Sequence, residues 1–178
     1  MKTYKDNLSD AMQMAACRSE VLFCGQAVAY DGTAMRNTLM GISQDKLIEF
    51  PVDEDFQMGF CNGLALASFV PICIFPRWNF LLLATNQIVN YLDKIENLTK
   101  NQIQPKVLIR TAVGSEKPLN PGIQHVGDYT ESFKLMLKNI NVVTLTHKDI
   151  ILKEYENALD PQNRRPTILI EHIDLYNS

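Results

Sequence analysis

The 178-residue chain predicts an α/β fold: a mostly parallel sheet of about six strands in three αβα layers, with helices on both faces. Short apolar runs recur along it, "EVLFCG", "LIEF", "VPICIF", "KVLIRTAVG", "NVVTLT" and "TILIEHIDL". Stretches of helical period separate them, and this alternation implies parallel βαβ units whose sheet is covered on both sides. Hydrophobic residues make up 46% of the sequence, enough for a single domain over residues 1–178 to bury a substantial core.

Residues 3 to 17 predict an amphipathic helix capped by Thr3, with Leu8, Met12 and Ala15 or Ala16 on one side. "EVLFCG" is the first strand, closed by Gly25, and the loop "QAVAYDGT" leads from it to a helix over Ala34 to Gly41. The second strand, "LIEF", is followed by a helix that starts near Asp53. "VPICIF" feeds a long helix through "FLLLATNQIVNYLDKIENLTK", where Leu82, Ile88, Leu92 and Ile95 keep an apolar stripe. After "KVLIRTAVG" comes "SEKPLNPGIQHVGDY", a loop of about fifteen residues, long for a compact domain and therefore a functional suspect. The helices "ESFKLMLKN" and "KDIILKEYENAL" flank the fifth strand, and "TILIEHIDL" ends the series.

A formal net charge of −3 and the lack of any basic run longer than Arg164-Arg165 argue against nucleic acid as a partner. No apolar run approaches the roughly 20 residues of a membrane span, and the polar start of the chain is helical in pattern, so a cytoplasmic location is expected. Cys17, Cys24, Cys61 and Cys73 form no CxxC pair and lie in apolar segments, which favours buried thiols over a disulfide framework, and no metal site is read.

In open parallel sheets ligands collect beyond the carboxyl ends of the strands. Three acids, Asp53, Glu54 and Asp55, fall at such an end, as do the aromatics after Phe75 and the long loop after Gly114. The acids have an ordinary explanation, with Asp53 as helix cap and the others in a first turn that favours negative charge. Gly59, Gly63 and Ala67 recur every four residues on one face of the same helix, where each mid-helix glycine costs about 1 kcal/mol relative to alanine. Spacing alone leaves open whether that smooth face packs on the domain's own elements or on another subunit.

From "TYKDNLSDAM" to "TILIEHIDLY" the chain resembles the pyrimidine-binding domain of the transketolase-like thiamine-diphosphate enzymes, in particular the beta subunits of pyruvate dehydrogenase-type 2-oxo acid dehydrogenases. "EVLFCGQAVAYDGTA", "EFPVDEDFQMGFCNGLALASFVPICIF", "RWNFLLLATNQIVN", "VLIRTAVG" and "IQHVGDYTESF" carry the resemblance, in the family's order. It implies that Glu54 is the glutamate that hydrogen-bonds the aminopyrimidine ring of thiamine diphosphate and so helps the cofactor lose its thiazolium proton. It also implies that Phe80 lies against the pyrimidine face, with Trp78 beside it, that Gln26 stands in a loop near the cofactor, and that His125 is the active-site histidine. Ordinary packing remains the alternative for Phe80 and above all for Trp78, and simple exposure for His125.

Gln26 and Ala27 replace the paired acids of the family's "GEEV", and Arg77 also alters the pocket wall. No "GDG" followed about thirty residues later by "N" occurs, so the Mg2+ and diphosphate ligands are expected on a partner chain. The resemblance therefore implies the pyrimidine-binding subunit of a two-chain enzyme. This domain would pair with a separate alpha-like, diphosphate-binding subunit, in a heterotetramer that decarboxylates a 2-oxo acid or transfers the acyl or ketol unit of such an acid or of a ketose. No docking domain for a lipoyl-bearing partner is expected in this chain. Two alternatives stand beside it: a trimmed beta subunit of a lipoyl-linked dehydrogenase, and a non-catalytic structural or regulatory subunit that retains the fold.

Overall fold

The computed structural model describes residues 2–114 and 120–178. Six strands, β1 (Val21–Gly25), β2 (Leu47–Glu49), β3 (Val70–Ile74), β4 (Leu108–Val113), β5 (Asn141–Thr144) and β6 (Thr167–His172), form one sheet in the order β2-β1-β3-β4-β6-β5. Every pairing is parallel, so the sheet is purely rather than mostly parallel. The helices are α1 (Tyr4–Ala16), α2 (Glu54–Leu66), α3 (Trp78–Leu83), α4 (Ile95–Leu98), α5 (Thr130–Met136) and α6 (Ile151–Leu159).

Alternation along the central strands builds two cores. Phe23, Ile72, Ile74, Leu108 and Leu169 face one way and pack with Leu8, Met12, Tyr155 and Leu159 of α1 and α6. Cys24, Cys73, Ile109, Ile168 and Ile170 face the other way and meet Met58 and Cys61 of α2, Trp78 and Leu81 of α3, and Phe133 of α5. The period-two strand pattern thus produces the three layers directly.

The predicted start of α1 is present in full: Thr3 accepts the Asp6 N–H and Asp6 accepts the Thr3 N–H, a reciprocal cap that contributes on the order of 1 kcal/mol. Two predicted helices differ. Residues 34–41 form only a 3-10 turn, Arg36–Leu39. The long helix after β3 is broken into α3, a π-helical stretch Gln87–Leu92, and α4. At the π stretch the Asp93 N–H reaches back to the Ile88 carbonyl, and the Gln87 carbonyl takes a hydrogen bond from the Asn62 side chain of α2 at 3.3 Å. A neighbouring helix therefore supplies the contact that the altered ladder needs.

On the smooth face of α2, the Gly59 end packs on the domain's own elements. At Gly59 an added Cβ would meet Gln87 of the same chain at 3.4 Å, whereas at Gly63 it would meet nothing within 4 Å. Of the cysteines, Cys24, Cys61 and Cys73 are buried as expected, but Cys17 is exposed, because it caps the end of α1 on the side away from the core. Among the described residues no helix is long and apolar enough to cross a membrane.

Candidate functional site

The chain leaves β1 toward the α1 face and leaves β3 toward the α2 face, so adjacent strands part in opposite directions and open a crevice at their carboxyl ends. A cleft of about 370 Å³ lies there, lined after β1 by Gln26 and Ala27, after β3 by Pro76, Arg77 and Phe80, and by Ile173 after β6. Gly25, the last residue of β1, is required just before the lining begins. A Cβ at that position would sit 2.6 Å from the Ile74 carbonyl oxygen, closer than real side chains approach.

Glu49, at the end of β2, shapes the β1 side of this cleft. Its carboxylate accepts the backbone N–H groups of Ala27 at 2.6 Å, Val28 at 2.9 Å and Ala29 at 2.8 Å. Ala27 has φ +53°, a left-handed conformation that costs a non-glycine residue roughly 1–2 kcal/mol. Three charge-assisted hydrogen bonds offset that cost. Sequence reasoning passed over Glu49, although an acid at the end of the otherwise apolar "LIEF" was a usable signal.

The three acids after Phe50 have three separate fates. Asp53 is the helix cap, its carboxylate accepting the Phe56 N–H at 2.9 Å. Asp55 accepts from the Gln87 amide at 3.0 Å. Glu54 is the first residue of α2 and is buried, 6% exposed. No hydrogen-bond donor among the described residues meets its carboxylate, which is unusual for a buried acid. Glu54 stands on the carboxyl edge of the sheet, though not among the residues that line the cleft.

Around the cleft the structure brings Gln26, Phe80 and His125 together. The rings of Phe80 and His125 are 5.7 Å apart, inclined at 40°. Asn79 Oδ1 lies 3.1 Å from His125 Nδ1, and since a carbonyl oxygen only accepts, Nδ1 is the donor of that bond. Arg77 donates through Nη1 to the Gly114 carbonyl and, at 3.4 Å, to the His125 carbonyl. Burial holds its guanidinium below the ordinary arginine range. Residues 115–119 of the long loop lie outside the described residues.

Trp78, which the resemblance puts near the cofactor but for which ordinary packing is the favoured alternative, is in the second core. It is 1% exposed and packs on Phe133 at 4.8 Å and Tyr129 at 6.4 Å between ring centroids. The first turn of α3 points this residue at the sheet and Phe80, two positions on, at the cleft. Of the remaining histidines, His147 is exposed and His172 half-buried.

The six-strand parallel sheet between two helical layers is the fold of the transketolase-like enzymes. A solved structure described as "Split gene transketolase, inactive beta4 tetramer" superposes with a TM-score of 0.70 at 14% identity, covering 96% of this chain and 51% of that one. Named relatives narrow the resemblance to the one carried by the motifs. The pyruvate dehydrogenase E1 component subunit beta of Rickettsia conorii is 27% identical over 182 aligned positions, 98% of this chain and 53% of the relative. The 3-methyl-2-oxobutanoate dehydrogenase subunit beta of Mycobacterium tuberculosis is 31% identical over 143, covering 76% and 38%. The chain spans about half the length of the first of these relatives and less of the second. No family model matches it.

Proposed function

We propose that this chain is the pyrimidine-binding part of a thiamine-diphosphate-dependent enzyme that decarboxylates a 2-oxo acid or transfers the resulting acyl or ketol unit. Similarity to beta subunits of 2-oxo acid dehydrogenases supports the reading. The observation that carries it is Glu54, an acid only 6% exposed whose carboxylate meets no donor among the described residues. Such a carboxyl is short of a partner, and a ring nitrogen supplies one by accepting a hydrogen bond from the carboxyl's proton.

When bound, thiamine diphosphate supplies the carbanion chemistry. The residues of this chain bind and orient it: Glu54 holds the proton at the ring, and Phe80 offers an aromatic face at the cleft. His125, oriented by Asn79, takes or returns a proton beside Phe80. Gln26 lines the β1 side without adding charge, and Trp78 anchors the start of α3 from the core. An alpha-like partner chain supplies the diphosphate-binding half with its Mg2+, in a cytoplasmic heterotetramer. The α2 face at Gly63 fits close approach by that partner. A lipoyl-linked dehydrogenase component is the second reading, favoured by the names of the relatives.

The test is to copurify the chain with its diphosphate-binding partner and compare Glu54→Gln with the wild type. Turnover falls by roughly 100-fold or more while assembly persists. Unchanged turnover would make Glu54 a helix-start acid and nothing else.

A further inference from the structure

We propose that the cleft at the ends of β1 and β3 is a site for a small oxyanion, gripped by Arg77, and that the anion is the acid group of the substrate. The assignment of that anion as substrate rests on the function proposed above. The site itself rests on the chemistry of the cleft.

Arg77 is the charged side chain in the lining, and no carboxylate lines the cleft. Around it are the amide of Gln26, the hydroxyl of Thr33 and the apolar surfaces of Phe80 and Ile173. A cationic cleft in a chain whose formal net charge is −3 is a local inversion of the overall field. Asp174 packs against Gly114 and is not a lining residue.

The guanidinium is half-buried, yet among the described residues no carboxylate is within ion-pair distance of it. A partly desolvated cation without a counterion is a costly arrangement that an incoming anion relieves. Its Nη1 is committed to the Gly114 and His125 carbonyls. Those two anchors fix the plane of the fork, while Nε and Nη2 have no acceptor among the described residues. A guanidinium so held presents a parallel pair of N–H donors, the geometry that takes a carboxylate or a phosphate oxygen pair.

The cleft volume of about 370 Å³ suits a molecule of a few heavy atoms rather than a polymer. Phe80 and Ile173 then face the apolar part of the ligand, and His125 stands 5.7 Å from Phe80, ring to ring. A 2-oxo acid offers a carboxylate and a sugar phosphate offers a phosphate monoester, so the two sources share one chemistry.

The full chain, without cofactor or partner, is titrated with pyruvate, with inorganic phosphate and with uncharged methyl pyruvate, following the Arg Nε–Hε signals by NMR. A saturable shift of the Arg77 signal with pyruvate assigns the carboxylate, and one with phosphate alone assigns the phosphate monoester. Arg77→Gln weakens binding by about tenfold or more and Arg77→Lys by less, since lysine keeps the charge but not the fork. Asn79→Ala removes the other tether on His125 and leaves affinity within about twofold. Thermal unfolding of each variant verifies that it is folded.

No saturable shift with either anion, equal binding of methyl pyruvate, or equal losses in Asn79→Ala and Arg77→Gln would each overturn the site. Thiamine diphosphate binding by the paired chains is measured separately. Loss of cofactor binding with the anion titration intact counts against the proposed function and leaves the oxyanion site standing.

Discussion

Glu49 shows how a single side chain sets the shape of a site without touching a ligand. Its carboxylate takes three consecutive backbone N–H groups at the exit from β1 and so holds Ala27 in a left-handed conformation beside Gln26. Glu49→Gln leaves one acceptor oxygen where two served, and at least one amide loses its partner. We expect a loss of about 1–3 kcal/mol in urea unfolding, with amide exchange accelerated at residues 27–29 first. Unaltered protection there would mean that the loop is held by other contacts. The same scale separates the neighbouring acids: Asp53 caps, Asp55 bridges to Gln87, and Glu54 is buried without a donor among the described residues. Type and order of residues made all three visible, but only packing decides which one is buried.

Among the elements, the strands were the most legible, because alternation of buried residues is written locally and Phe23 and Cys24, or Leu108 and Ile109, fall to opposite cores as their positions require. The segment after β3 was the least. Of its apolar stripe, Ile88, Leu92 and Ile95 are buried and Leu82 half-buried, but the π-helical stretch is met by Asn62 of another helix, and no window of local sequence contains that partner. Trp78 illustrates the same limit, since the motif fixes its place in the chain while the phase of a helix start fixes which way it faces. At the end of the π stretch, Asp93 is fully buried and accepts the N–H groups of Lys138 at 2.8 Å and Asn139 at 2.7 Å. Burial alone would raise its pKa, but the bonds from Lys94 and these two amides bring it below the ordinary aspartate range. A carboxyl lowered in the folded state contributes stability that is full above its unfolded pKa and is lost as pH falls through the folded value. Asp93→Asn therefore lowers stability by about 1–3 kcal/mol near neutral pH and flattens the decline on the acid side below about pH 4. An unchanged acid limb in denaturant titrations would remove Asp93 from that account.

At the scale of the molecule, the two cores are joined to a polar knot at the carboxyl end of the sheet. Arg110 of β4 and Glu171 of β6 form a fully buried pair, with Thr38, Tyr155 and Tyr176 as further partners. Burial works against the Arg110 charge, but Glu171 more than restores it and holds the guanidinium above its ordinary range. Such pairs fix one arrangement of elements more than they add stability. Here the pair ties the 3-10 turn after β1, α6 and the C-terminal residues to the same sheet edge that carries the cleft. The backbone of Tyr176 and Ser178 in turn accepts the first N–H groups of α1. The chemistry proposed for this fold depends on what Glu54 does to a ring placed beside it. The direct measurement is the rate at which the hydrogen on the thiazolium carbon of bound thiamine diphosphate exchanges with deuterated solvent, in the chain paired with its diphosphate-binding partner. The account predicts exchange slower by about 100-fold or more in Glu54→Gln; equal rates in the two proteins, with cofactor bound in both, would contradict it.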